Sequence, residues 1–233
     1  MTAHEPNGEL SVRRGVVGDE GALRSVRLRA MLQAPEAFGS TFEREAGRTV
    51  AEWASWLAPG AVFLLESSTI GHPAVGQVGD VASSGVVAGD VAGDVVGDTA
   101  GGVVGLAAGY HDHDEPGCVT LAAVWIEPAF RGRGGIDALI AEFLRWAAGQ
   151  APSAVRLWVA AGNLGARRAY ERAGFASTGE TVVRARDGVI ELEMRFPLHR
   201  LTVEQRLVGS RSTVVEPTGS VAGTLGSASA DGD

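Results

Sequence analysis

The sequence has no lysine: all 20 of its basic side chains are arginine. With the abundance of Ala, Gly and Val, this reads as a coding bias. Cys118 is the only cysteine, so an internal disulfide is excluded and paired thiol chemistry with it. No apolar run approaches the roughly 18 residues that a membrane helix needs. Residues 1–15 lack the apolar centre of a signal peptide, and a reducing cytoplasmic setting is expected. The formal net charge of −8 argues against nucleic-acid binding, which draws on basic surface. Arginine itself is unevenly placed. None occurs from Thr49 to Phe130, and Arg131 and Arg133 then end the gap together.

Those two arginines lie inside the most informative stretch, residues 119–148. Residues 119–126 form an apolar run with β-branched and aromatic members, which predicts a buried strand. Pro128 cannot donate to a sheet and ends it. The turn Arg131-Gly132-Arg133-Gly134-Gly135 follows, and glycine lets backbone amides approach a ligand closely. Ile136, Leu139, Ile140, Phe143, Leu144 and Ala147 fall at helical spacing and give one apolar face. A glycine-rich turn opening a helix suits a phosphate, and positive charge sits where that anion would be.

Around this unit, residues 10–14 predict a first strand. Asp19 is placed as an N-cap for a helix with Leu23, Val26, Ala30 and Met31 on its buried face and arginines elsewhere. Pro35 ends that helix, and residues 35–45 read as a loop or short irregular helix. Thr49 and Glu52 fit a capping box, followed by Trp53, Trp56 and Leu57. Strands are expected at 61–66, 103–110 and 155–159. A helix over 164–173 should stop at Gly174. Strands at 181–186 and 189–196 flank Asp187-Gly188, a strong two-residue hairpin signal.

Residues 67–102 are poor in large apolar groups and carry a four-residue repeat of the form AGDV, too short to build a core. Asp80, Asp90, Asp94 and Asp98 match neither a calcium-binding nonapeptide repeat nor an EF-hand loop. His111, His113 and their acidic neighbours form a polar turn without identifiable further ligands, so no metal is expected. The expected organisation is a flexible N-terminus over 1–9 and one domain over 10–200. That domain is interrupted by a low-complexity insertion at 67–102, and a disordered tail fills 201–233.

Two blocks carry a resemblance to a known family. WIEPAFRGRGGIDALIAEFLRWA resembles motif A of the GNAT superfamily of acetyltransferases, and VRLWVAAGNLGARRAYERAGFASTG resembles its motif B, in the family's order. RLRAMLQAPEAFGSTFERE is similar to a bacterial GNAT subgroup. The resemblance spans roughly residues 10–196. It implies an α/β fold with a mixed, twisted sheet of about six to seven strands flanked by about four helices. One departure stands out: the family's last small residue of motif A falls at Ile136, with Gly135 beside it.

The resemblance implies acetyl-CoA as co-substrate and transfer of its acetyl group to a primary amine of a small molecule or peptide. The backbone of Val124, Trp125 and Ile126 would pair with the pantetheine arm. Amides from Arg131, Gly132, Arg133, Gly134, Gly135 and Ile136 would hold the pyrophosphate, and Asn163 would lie near the cofactor. Tyr170 would protonate the departing thiolate. No general base is assigned: Glu127 is one candidate, and water-mediated deprotonation involving Glu36, Glu43 or another acid of the N-terminal region is equally open. Phe38, Trp53 and Trp56 either line the acceptor pocket or pack helices. No nucleic acid or membrane is expected as partner, and the chain would be a monomer or homodimer. The alternative is a GNAT-fold module that binds acyl-CoA without turnover, supported by Ile136.

Overall fold

The computed structural model describes residues 9–68 and 102–201. Most of the expected insertion and the expected tail lie outside the described residues. Ser67 and Gly102 meet where the insertion was expected to leave the sheet, the Ser67 N–H donating to the Gly102 carbonyl at 2.8 Å. Leu201, placed in the tail from sequence, is buried against the core.

Among the described residues, seven strands form one mixed sheet: β1 (Leu10–Arg14), β2 (Val62–Ser67), β3 (Val103–His111), β4 (Cys118–Ile126), β5 (Ala154–Ala160), β6 (Ala176–Val183) and β7 (Ile190–Phe196). Their order is β1-β2-β3-β4-β5-β7-β6. Five α-helices accompany them: α1 (Glu20–Gln33), α2 (Phe42–Ala46), α3 (Val50–Leu57), α4 (Gly135–Gly149) and α5 (Leu164–Ala173). Only β4 and β5 run parallel, and α4 supplies the crossover that a parallel pair requires.

Alternation along β2 explains the layering. Phe63 and Leu65 point into one apolar cluster with Leu139, Ile140 and Phe143 of α4. Val62 and Leu64 point the other way, toward Leu23, Val26 and Met31 of α1 and Trp53 of α3. A strand covered on both faces reads as a continuous apolar run, which is why residues 61–66 show little alternation.

β4 breaks its own alternation. Val119 and Leu121 face the α4 side, yet Trp125, also an odd-numbered position, faces the α1 and α3 side. The switch occurs at Ala123, whose φ is 55°, where the β3–β4 register slips between Leu106 and Ala108. This is a β-bulge carrying a non-glycine residue in the left-handed region, a conformation held against intrinsic preference.

Several local expectations hold. The Thr49–Glu52 capping box is present, Asn163 caps α5 by accepting from the Ala166 N–H at 3.1 Å, and Gly174 ends α5 with φ 102°. Two need correction. Asp19 stands at the start of α1 but makes no side-chain cap; its carboxylate is taken by Arg13 and the Val16 N–H. The Asp187-Gly188 pair does not form a two-residue hairpin. β6 ends at Val183, and residues 184–189 make a wider turn in which Asp187 accepts from Arg184, Arg186 and the Val189 N–H. The side-chain bonds outcompete the tight turn.

Candidate active site

β4 and β5 pair only from Cys118–Ala154 to Leu121–Leu157 and then separate. Beyond that point the β5-facing edge of residues 122–126 has no strand partner among the described residues, so its backbone is open to an extended ligand. The bulge at Ala123 lies in this stretch.

The glycine turn sits at the same end of the sheet. Gly132 and Gly134 have φ of 75° and 80°, and a Cβ on either would meet nothing within 4 Å. These positions are open and left-handed, which suits glycine. Gly134 is the N-cap of α4. The amides of Gly132, Gly134, Gly135 and Ile136 have no acceptor among the described residues, a cradle of unused donors at a helix N-terminus. The Arg131 Nε donates to the Ile126 carbonyl at 2.9 Å, joining the turn to the strand end. Arg133 lies 5.7 Å from the Phe130 ring centroid.

Gly135 and Ile136 divide differently from the motif's usual order. Gly135 is buried, and a Cβ there would come 2.7 Å from Leu65 Cδ2 and 3.2 Å from Ile126 Cδ1. Ile136 is partly buried and packs on the α4-side core. The departure seen in the sequence is therefore absorbed by packing: the glycine fits the close approach to β2, and the isoleucine adds to the core.

Tyr170 is 7% exposed on α5 and packs edge-to-face with Phe175 at 6.1 Å. Its hydroxyl has no hydrogen-bond partner among the described residues. Burial pushes the phenol well above its ordinary pKa, so it stays protonated across the usual pH range.

Across the sheet from the α4 helix lies a cleft of about 540 Å³. Phe38, Trp56, Tyr110, Thr120, Trp158 and Glu191 are among its walls, as are Ala122 and Ala123 of the unpaired β4 segment. Phe38 and Trp56 thus face the cleft, whereas Trp53 is fully buried between helices. Glu127, Glu36 and Glu43 are not among the lining residues. Glu191 is, and it also accepts from Arg184 at 3.1 Å.

Two features escaped the sequence. Arg27, in the helix whose arginines were expected outside, is 5% exposed and lines the cleft. Arg184 and Arg186 of the β6–β7 turn reach across to the segment after α1, donating to the carbonyls of Glu36, Ser40 and Pro35 at 2.7–3.1 Å. They tie down the segment that carries Phe38.

The polar turn at 111–115 is structural. Asp112 accepts from Arg156 at 2.5 Å and from Thr120, and Glu115 is engaged by Arg156 and Arg195. Among the described residues no group of three or more His, Cys, Asp or Glu is placed to hold a metal ion. None of the described helices is long and apolar enough to cross a membrane.

Residues 85–175 match the model of the acetyltransferase (GNAT) family. Solved structures share the fold. An acetyltransferase of the GNAT family from Streptococcus pneumoniae is 15% identical, with TM-score 0.58, over 81% of this chain and 100% of the other. A GCN5-related N-acetyltransferase from Kribbella flavida is 20% identical, with TM-score 0.54, over 81% and 98%. The yncA protein of Salmonella typhimurium, solved with its cofactor acetyl-CoA, is 16% identical, with TM-score 0.55, over 81% and 94%. No curated protein matches the chain. Over residues 85–175 the chain is thus similar to the acetyltransferase (GNAT) family, and its fold is the one these solved structures share.

Proposed function

We propose that this protein is a GNAT-superfamily, acetyl-CoA-dependent N-acetyltransferase that acetylates a primary amine by direct attack on the thioester. The observation that carries the reading is a juxtaposition at one end of the sheet. An unpaired, bulged β4 edge lies between a glycine turn with four unused amides and a cleft large enough for a small molecule.

The residues present fit such a co-substrate. Gly132, Gly134, Gly135 and Ile136 offer N–H donors for a pyrophosphate at the start of α4, where the helix dipole favours an anion. The backbone of Val124, Trp125 and Ile126 offers an extended edge to a pantetheine arm. Acetyl-CoA would supply the activated acyl carbonyl; the chain supplies binding, orientation and proton handling. An alkyl ammonium has a pKa near ~10.4, so attack needs loss of a proton. Glu191 is the one carboxylate among the cleft's described walls, and we assign it to that proton. A backbone amide in the Val124–Ile126 stretch meets the developing oxyanion. Tyr170, kept protonated by burial, donates to the departing sulfur.

The test is thiol release from acetyl-CoA across a panel of small amines. Amine-dependent release supports the reading. Binding of acetyl-CoA with no turnover of any amine would replace it with that of a binding module.

A further inference from the structure

Arg27 is an unusual residue for the wall of a cleft. Its guanidinium is almost wholly buried, with Phe38 stacked 4.4 Å away and Trp56 5.7 Å away on the ring-centroid measure. Its one acidic partner among the described residues is Glu45, 1% exposed, reached by Nη2 at 3.5 Å. That contact is long for a charge-assisted bond. Glu45 has a better partner in Arg48, whose Nε lies 2.8 Å from the other carboxylate oxygen. Nε and Nη1 of Arg27 have no hydrogen-bond partner among the described residues.

Two guanidinium groups therefore share one carboxylate, and the cluster carries one positive charge too many. A buried charge with unmade hydrogen bonds is costly, and interiors avoid it. Arg184, which pairs with Glu191 of the cleft wall, does not repeat this pattern: it is matched by both Asp187 and Glu191. The excess positive charge at the Arg27 wall stands out in a chain whose net charge is −8.

We propose that Arg27 reads an anionic oxygen group on the acceptor, so that the substrates are amines carrying a carboxylate. This deepens the acetyl-transfer reading and rests on it. An acceptor of this class completes the cluster: its carboxylate supplies the missing negative charge to the Arg27 donors, and its amine lies toward the unpaired β4 edge. Phe38 lies over the guanidinium and lines the same cleft as Arg27.

The experiment compares α- and ω-amino carboxylates with the matching amines that lack the carboxyl group, using wild type, Arg27→Gln and Arg27→Lys. Glu45 keeps Arg48 in each variant, so no acid is left bare. Wild type should show a KM at least about tenfold lower for the carboxylate member of the best pair, the worth of one charge-assisted contact. Arg27→Gln should remove that preference with the KM for acetyl-CoA unchanged, and Arg27→Lys should restore part of it. Equal use of both members by wild type, or an equal loss on both in Arg27→Gln, overturns the proposal. Thermal shift by the same compounds separates the two readings. If no amine is turned over, stabilisation of wild type but not Arg27→Gln by the carboxylates supports the anion site while transfer fails. No differential shift in that case overturns the anion site too.

Discussion

Arg131 spends its Nε on the carbonyl of Ile126 at 2.9 Å, so the arginine of the glycine turn anchors the turn to the end of β4. The contact joins the two surfaces assigned to the co-substrate, the open strand edge and the amide cradle. Arg131→Gln loses that reach. The expected result is a KM for acetyl-CoA raised roughly tenfold with kcat within about twofold, the signature of a lost ground-state contact. A matched fall in kcat at unchanged KM would assign Arg131 to the chemical step instead.

The two glycines at the start of α4 should separate by readout. Gly135→Val drives a side chain into fully buried Leu65 and into Ile126, and overpacking of this kind costs roughly 1–3 kcal/mol. Gly134→Ala meets open space but must hold a left-handed φ, a strain of about 1–2 kcal/mol that the turn relieves by changing shape. Gly135→Val should therefore lower the unfolding midpoint in urea. Gly134→Ala should chiefly weaken acetyl-CoA binding in a titration.

Local chemistry was legible in the sequence, and distant pairing was not. The glycine turn, the Thr49–Glu52 box and the Asn163 cap are fixed by neighbours three or four residues away, so spacing alone reveals them. The bulge at Ala123 has no glycine to mark it, and residues 119–126 read as an uninterrupted strand. The burial of Arg27 depends on Glu45, Phe38 and Trp56, which arrive from separate segments. The turn at Asp187-Gly188 is wide where Arg184 bonds both Asp187 beside it and the Glu36 carbonyl across 148 positions, a partner that no local pattern contains.

Tyr170→Phe should leave stability almost unchanged, because the lost hydroxyl has no partner among the described residues. If Tyr170 protonates the leaving thiolate, kcat falls by about 10²-fold or more. With the phenol pushed well above its ordinary value, wild type should show no falling limb from this group up to pH 10. Full activity in Tyr170→Phe would return the residue to packing against Phe175.

Asp112 provides a pH-dependent test of the charge network behind the cleft. Burial alone would raise its carboxyl. The short bond from Arg156, the amides of Asp114 and Glu115 and the Thr120 hydroxyl outweigh that and hold it at about 2, below its ordinary value of 3.8. A folded-state value below the unfolded one means stability that is present above the unfolded pKa and lost as pH falls through the folded one. The depression corresponds to roughly 2 kcal/mol. Asp112→Asn, measured by urea unfolding, should therefore be less stable than wild type by about that amount from pH 7 to pH 4. The difference should shrink steadily as pH is lowered from 4 toward 2. A gap that stays constant across that acid window would show that Asp112 contributes through its shape and hydrogen bonds and not through its charge.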